Sequence, residues 1–253
     1  MTKLIKLEGT NNTRDLCGYT NIHGQTIRNN MIFRSDKLSE LTESDLEEIK
    51  LLGIKTIVDF RSENEKKDEP NNIPDEINYI EMPIAADKDI RLELNDVING
   101  KSNKKMGQFL IDVNKDFVLL YSDIFSEFLK RLISNPEPTL FHCTSGKDRT
   151  GFAAFLILHI LEIPKNIILE DYLKTNDFIK DSLEHQINHV SKLLNIPLDK
   201  ASLIKPLLLV DIEYINNAIN TINQYYGSID NYISDALHIT NIMKIQLRKI
   251  MMI

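Results

Sequence analysis

The feature that most constrains the fold lies between residues 136 and 163. Thr139-Leu140-Phe141-His142 is β-branched, apolar and aromatic, and Pro136 and Pro138 bound it upstream. It reads as a short buried strand. Residues 150–163, TGFAAFLILHILEI, are apolar nearly all round, the pattern of a helix buried on every side. Between the two stands only Cys143-Thr144-Ser145-Gly146-Lys147-Asp148-Arg149. This segment is therefore a strand-to-helix turn at a helix N-terminus, where unpaired amides and the helix dipole favour a bound anion. Gly146 lets the backbone curl inward where a side chain would clash.

Cys143 and Arg149 stand at the two ends of this turn. A thiol gains thiolate character near helix N-termini and cations, and a thiolate is a good nucleophile for phosphorus. Arg149 offers a planar fork to two phosphate oxygens, which lysine cannot do. The amides of Thr144, Ser145 and Gly146 are expected to line the same cup. Together these residues point to phosphoryl transfer onto sulfur, followed by hydrolysis. Neither a metal nor another cofactor is required. Alone, Cys143 would read as a small buried hydrophobe and Arg149 as a solvated charge. The five-residue spacing, the internal glycine and the flanking elements reverse that balance.

His142 to Gly151 resembles the signature loop of the cysteine-dependent protein tyrosine phosphatases. Gly146-Lys147-Asp148-Arg149 narrows the resemblance to the bacterial tyrosine/serine and phosphoinositide phosphatases, whose loop reads His-Cys-x-x-Gly-Lys-Asp-Arg. Asn12-Thr13-Arg14-Asp15-Leu16-Cys17-Gly18-Tyr19 is similar to that family's N-terminal element. Phe33 to Leu38, Ile57 to Ser62, the run holding Glu63, Glu65 and Pro70, and Tyr226-Gly227-Ser228 through Tyr232 are similar to further segments. The resemblance implies a phosphatase of phosphotyrosine, extending to phosphoserine, phosphothreonine and phosphoinositides. It implies that Lys147 engages a further phosphate, and that Arg14, Asp15 and Arg34 brace the loop, each with a structural ion pair as its plainer reading. Cys17 departs from the family, which has glycine there; a left-handed backbone at that position would be strained.

Expulsion of the leaving oxygen needs a proton donor, and the later water needs a base. Asp148 stands first, being in the loop; its alternative role is to cap the helix. Asp59, at the end of the strand beginning at Lys55, stands second, with an ion pair to Arg61 as its alternative. Asp87 stands third, in the loop expected after residues 79–84. Thr150 is expected to donate its hydroxyl toward the sulfur, and His142 to orient rather than to exchange protons.

The wider pattern places strands before residue 143 and helices after it. The fold expected is α/β: a cysteine-phosphatase-like central mixed or parallel sheet flanked by helices, forming one domain over residues 1–253. A helical insert or lid is expected over about 172–224, with Phe178, Ile179, Leu183, Ile187 and Val190 as one helical stripe and Ile204, Leu207, Leu208, Leu209 and Val210 as apolar faces. Residues 24–34 read as a hairpin, Thr42 with Asp45 as a capping box, residues 85–105 as a loop over the pocket, and 108–135 as helical.

A formal net charge of −7 disfavours nucleic acid as a partner and permits at most transient membrane contact. The partner expected is a phosphorylated protein or phosphoinositide. No apolar stretch has membrane-spanning length, and two cysteines suit a reducing compartment. A cytoplasmic address is expected, with secretion open for a trimmed form. Cys17 is the one other thiol in the sequence, which leaves open a resolving role toward an oxidised Cys143. Two other readings stay open: a phosphate-recognition module without turnover, and sulfur or arsenate chemistry on a similar loop.

Overall fold

A computed structural model of the chain describes residues 3–85, 87–101, 106–193, 196–197, 200, 203 and 205–253, with the backbone alone for 87–91 and 193. Six strands form one sheet: β1 (Lys3–Leu4), β2 (Arg14–Asp15), β3 (Ile32–Ser35), β4 (Thr56–Asp59), β5 (Asn78–Glu81) and β6 (Thr139–His142), in the order β1-β2-β3-β6-β4-β5. β3, β6, β4 and β5 run parallel, and β1 and β2 add an antiparallel edge. The helices are α1 (Glu43–Leu51), α2 (Glu63–Asp68), α3 (Asp87–Ile98), α4 (Met106–Leu119), α5 (Ser122–Ser134), α6 (Asp148–Ile160), α7 (Lys165–Ile179), α8 (Leu183–Leu193), α9 (Lys205–Leu208), α10 (Ile212–Tyr226), α11 (Ile229–Asn231) and α12 (Asn241–Met251). The expected mixed sheet flanked by helices is the fold observed.

Parallel strands are buried on both faces, and successive residues serve opposite faces. Phe33, Ile57 and Leu140 pack with Leu38, Ile49 and Ile54 on one side. Ile32, Val58 and Phe141 pack on the other with Phe125, Phe128 and Phe152. There the aromatic rings meet edge to face, Phe60 with Phe128 at 5.2 Å and Phe125 with Phe152 at 4.9 Å, a favoured geometry. α6 runs through this larger core, which is why its sequence carries no polar face. The Thr42 capping box is present, and Asp45 also accepts from the amides of Glu8 and Gly9 at 2.7 and 2.9 Å.

Several expectations are corrected. Residues 24–34 form no hairpin: β3 pairs with β2 and β6, while Ile27 bridges to Met252. The loop expected over 85–105 contains α3, whose Leu94 is buried against Met106, Ile196 and Leu208; residues 86 and 102–105 lie outside those described. The stripe from Phe178 to Val190 is divided between α7 and α8 by a 3-10 turn at Lys180–Ser182. In the later part of the expected insert, α10 packs Ile215, Ala218, Ile219 and Ile222 into the main core. Of the apolar faces, Ile204 lies outside the described residues. Cys17 avoids left-handed backbone because Gly18, φ 75°, takes that conformation instead. No described helix is long and apolar enough to cross a membrane.

Candidate active site

β3, β6 and β4 end level with one another, Ser35 and Asp59 both opposite His142. The residues that follow, Asp36-Lys37, Cys143-Thr144 and Phe60-Arg61, therefore leave the carboxyl edge of the sheet side by side, where parallel sheets hold ligands. The loop curls over this edge with Gly146 at φ 63°. A Cβ there would sit 2.6 Å from the Ser35 carbonyl oxygen and 2.7 Å from the Asp36 nitrogen, so only glycine fits.

The body of the protein holds the loop by its carbonyls. That of Gly146 accepts from Arg34 Nη2 at 2.9 Å and Asn12 Nδ2 at 3.1 Å; Ser145 accepts from Asn12 Nδ2 at 3.3 Å, and Thr144 from the Lys37 amide at 3.0 Å. Among the described residues, no acceptor takes the amides of residues 144–147. The loop thus has its acceptors fixed and its donors free, as an anion site requires.

Cys143 is 2% exposed, and Arg34, Lys147 and Arg149 each interact electrostatically with it. Arg149 Nη1 and Nη2 each donate to Glu65 at 2.7 Å, and Nη1 also lies 3.3 and 3.2 Å from the Phe60 and Ile84 carbonyls. This end-on grip leaves the side edge of the guanidinium, Nε–H with the second Nη2–H, without a protein partner among the described residues. That edge is a second two-donor fork suited to a phosphate. Burial tends to raise the Glu65 carboxyl, but Arg149, the Thr144 hydroxyl and the Ser62 amide outweigh it and hold it at about 2. Glu65 drew notice in the sequence only within the acidic run. The Ser62-x-x-Glu65 spacing does signal a capping box, and both of its bonds form; the grip on Arg149, 84 residues away, leaves no local trace.

The candidate proton donors separate clearly. Asp148 does not cap α6: Lys147 holds the N-cap position with no side-chain bond. The Asp148 carboxylate keeps one oxygen, Oδ1, buried and without a hydrogen-bond partner among the described residues. Asp59 is corrected. It is fully buried and accepts from Arg61 N, Nε and Nη2, from Asn71 Nδ2 at 3.0 Å and from Tyr79 OH at 2.8 Å. Burial opposes its ionisation, but His142 and Arg61 drive its carboxyl well below the usual range; so engaged, it has no proton to lend. Asp87 begins α3 rather than lying in a loop, and its side chain lies outside what is described. His142 is pushed down by burial, to about 4 despite Asp59, and lies 3.2 Å through Nδ1 from the Cys143 carbonyl. It is neutral at ordinary pH and orients the loop entry. The Thr150 hydroxyl is buried without a hydrogen-bond partner among the described residues.

Lys147 is placed otherwise than expected. Its ammonium donates to the carbonyls of Pro206 at 2.8 Å and Leu209 at 2.9 Å, 3.4 Å from Asp148 and over the Tyr214 ring. It fastens the loop to the segment around α9. Cys17 is also unsuited to its expected role: burial, with Asp15 beside it, pushes its thiol up to about 11, so it stays protonated and is a poor resolving nucleophile.

Beneath the loop, Asp171 of α7 pairs with Arg34 Nη1 at 2.8 Å and Arg14 Nε at 3.3 Å and accepts from Tyr19 OH at 2.9 Å, all buried. Arg14 and Arg34 thus brace the loop; Asp15 instead accepts from the Cys17 and Asn30 amides. Asp171→Ala strands two buried guanidinium groups, so a loss of about 3–5 kcal/mol is expected, read as a lowered denaturant midpoint. A midpoint within experimental error of the wild type would show that the network contributes nothing.

A profile of the Tyrosine phosphatase family matches residues 5–253. A candidate tyrosine-protein phosphatase of Cupriavidus necator is 31% identical over 235 residues, covering 93% of this chain and 84% of that protein. The triple specificity protein phosphatase PtpB of Mycobacterium tuberculosis is 28% identical over 264 residues, covering 91% and 93%. Among solved structures, that of TpbA from P. aeruginosa is similar over 88% of this chain and 96% of that one, at 14% identity and a TM-score of 0.39.

Proposed function

The chain belongs to the tyrosine phosphatase family, and from that premise we propose that it hydrolyses phosphotyrosine in proteins through a phosphocysteine intermediate on Cys143. The observation that carries this reading is the set of unpaired donors on the loop that bears Cys143. Among the described residues the amides of 144–147 and the side edge of Arg149 have no protein partner, while the backbone tethers on the loop use its carbonyls.

The phosphate seats on these donors. Cys143 Sγ attacks phosphorus as the ester P–O bond breaks, and Asp148 passes its proton to the leaving oxygen. Water then attacks phosphorus while Asp148 takes its proton. The S–P bond breaks, returning the thiolate and releasing phosphate. Thr150 offers its unpartnered hydroxyl to the sulfur as it leaves. Phosphoserine and phosphothreonine share the chemistry and are further substrates of this reading. The phosphoinositide reading finds less support, because the ammonium of Lys147 is spent on Pro206 and Leu209. A binding module without turnover would not need Cys143, Arg149 and Asp148 together.

Asp148→Asn tests the scheme. Turnover should fall about 10²-fold, and least for aryl phosphates with the most acidic leaving groups, which depart without a proton. A quenched reaction should show the Cys143 peptide heavier by one phosphoryl group. Equal losses for all leaving groups would exclude Asp148 as the acid, and absence of the adduct from a variant still turning over would exclude the intermediate.

A further inference from the structure

Beside the loop lies a cavity of about 130 Å³ that begins at Thr144 and Ser145 and extends under α8. The Lys37 amide, bonded to the Thr144 carbonyl at 3.0 Å, fixes this wall against the loop. A group bound there is therefore adjacent to the seated phosphate. Ile179, Val190 and Leu208 supply its apolar side.

Its charge is opposite to that of the phosphate cup. Glu40 and Glu69 converge with His189, their ligand atoms within 4.8 Å of one another. Lys37 sits between the two carboxylates, 2.8 Å from Glu40 and in direct contact with Glu69. Asp36 lies at the base, held by the Asn11 and Asn12 amides. The remaining charged groups are His185 and His189, cationic only when protonated. Among the described lining residues the carboxylates of Glu40 and Glu69 outnumber the single ammonium of Lys37, and burial pushes the Asp36 carboxyl up, so it is left out of the count. A second phosphate would meet net negative charge here. A cation is already accommodated, in the form of Lys37. The loop's extra cation cannot offset this, since Lys147 is buried against Pro206 and Leu209.

Building on the phosphatase reading, we propose that this cavity is a specificity subsite for a basic side chain flanking the phosphorylated residue, so that the preferred substrate is a singly phosphorylated, basic protein segment. The ammonium or guanidinium lies against Glu40 and Glu69, and its methylene stem lies along Val190 and Leu208, as amphipathic side chains do.

The test compares kcat/KM for two phosphotyrosine peptides differing only in arginine or glutamate beside the phosphotyrosine, with an aryl phosphate and a phosphoinositide in phosphatidylcholine vesicles as further substrates. The arginine peptide should be favoured about 2- to 5-fold, the range of exposed charge pairs, and less so at high salt. Glu40→Gln should bring the ratio toward unity and Glu40→Lys should invert it; a ratio is insensitive to partial loss of folded enzyme. Equal use of the two peptides, a ratio unchanged by Glu40→Lys, or faster turnover of the phosphoinositide would each overturn the subsite. No turnover of the aryl phosphate would instead overturn the phosphatase reading on which it rests.

Discussion

Replacing Cys143 by serine is expected to lower turnover of phosphate esters by more than about 10⁴-fold while leaving their binding within a few fold of the wild type. The two consequences have separate causes. A serine hydroxyl lacks the thiol's readiness to ionise, so the loop's field cannot make it a comparable nucleophile. Binding depends on other atoms: the amides of 144–147 and the side edge of Arg149, all fixed through bonds that do not involve the sulfur. The loop conformation is set by Gly146 against Ser35 and Asp36, and a hydroxyl is smaller than the thiol it replaces. Calorimetric titration with a phosphotyrosine peptide, beside steady-state kinetics, separates the two. Turnover comparable with the wild type would remove Cys143 from the mechanism.

The second large effect is expected at Arg149. Arg149→Lys should cost about 10²–10³ in kcat/KM, although the positive charge is kept. Two forks share the one guanidinium: Glu65 holds the end-on pair at 2.7 Å on each side, and the side edge is left for phosphate. A lysine ammonium can serve one of these tasks but not both in the same geometry. Glu65→Gln should cost less, about 10-fold, because one acceptor oxygen still fixes Nη1 or Nη2. The Arg149→Lys and Glu65→Gln effects should be strongly non-additive, since both act on one constellation. Additive losses in the double variant would mean that Glu65 does not position Arg149.

The buried strand, the glycine turn, the thiol, the guanidinium and the all-apolar helix occupy one continuous stretch of chain, so the architecture at the loop was legible in local pattern. The same holds for the Thr42–Asp45 capping box. α3 was not legible: its polar sequence reads as a loop, and it is helical where Leu94 is buried against Met106, Ile196 and Leu208. Asp59 shows the same limit on the chemical side. Its place after a strand made it a candidate acid, but Asn71 and Tyr79 arrive from other elements to saturate its oxygens.

Which groups meet at the turn follows from local pattern, because strand ends, glycine conformation and helix starts depend on neighbours along the chain. What each charge does there was set by the folded arrangement. It set Glu65 on Arg149, Asp171 under Arg34, and Lys147 against the carbonyls of Pro206 and Leu209. The physical reason is that a buried charge is governed by whatever partner lies within a few ångströms in space, and these partners are 59 to 137 residues distant along the chain.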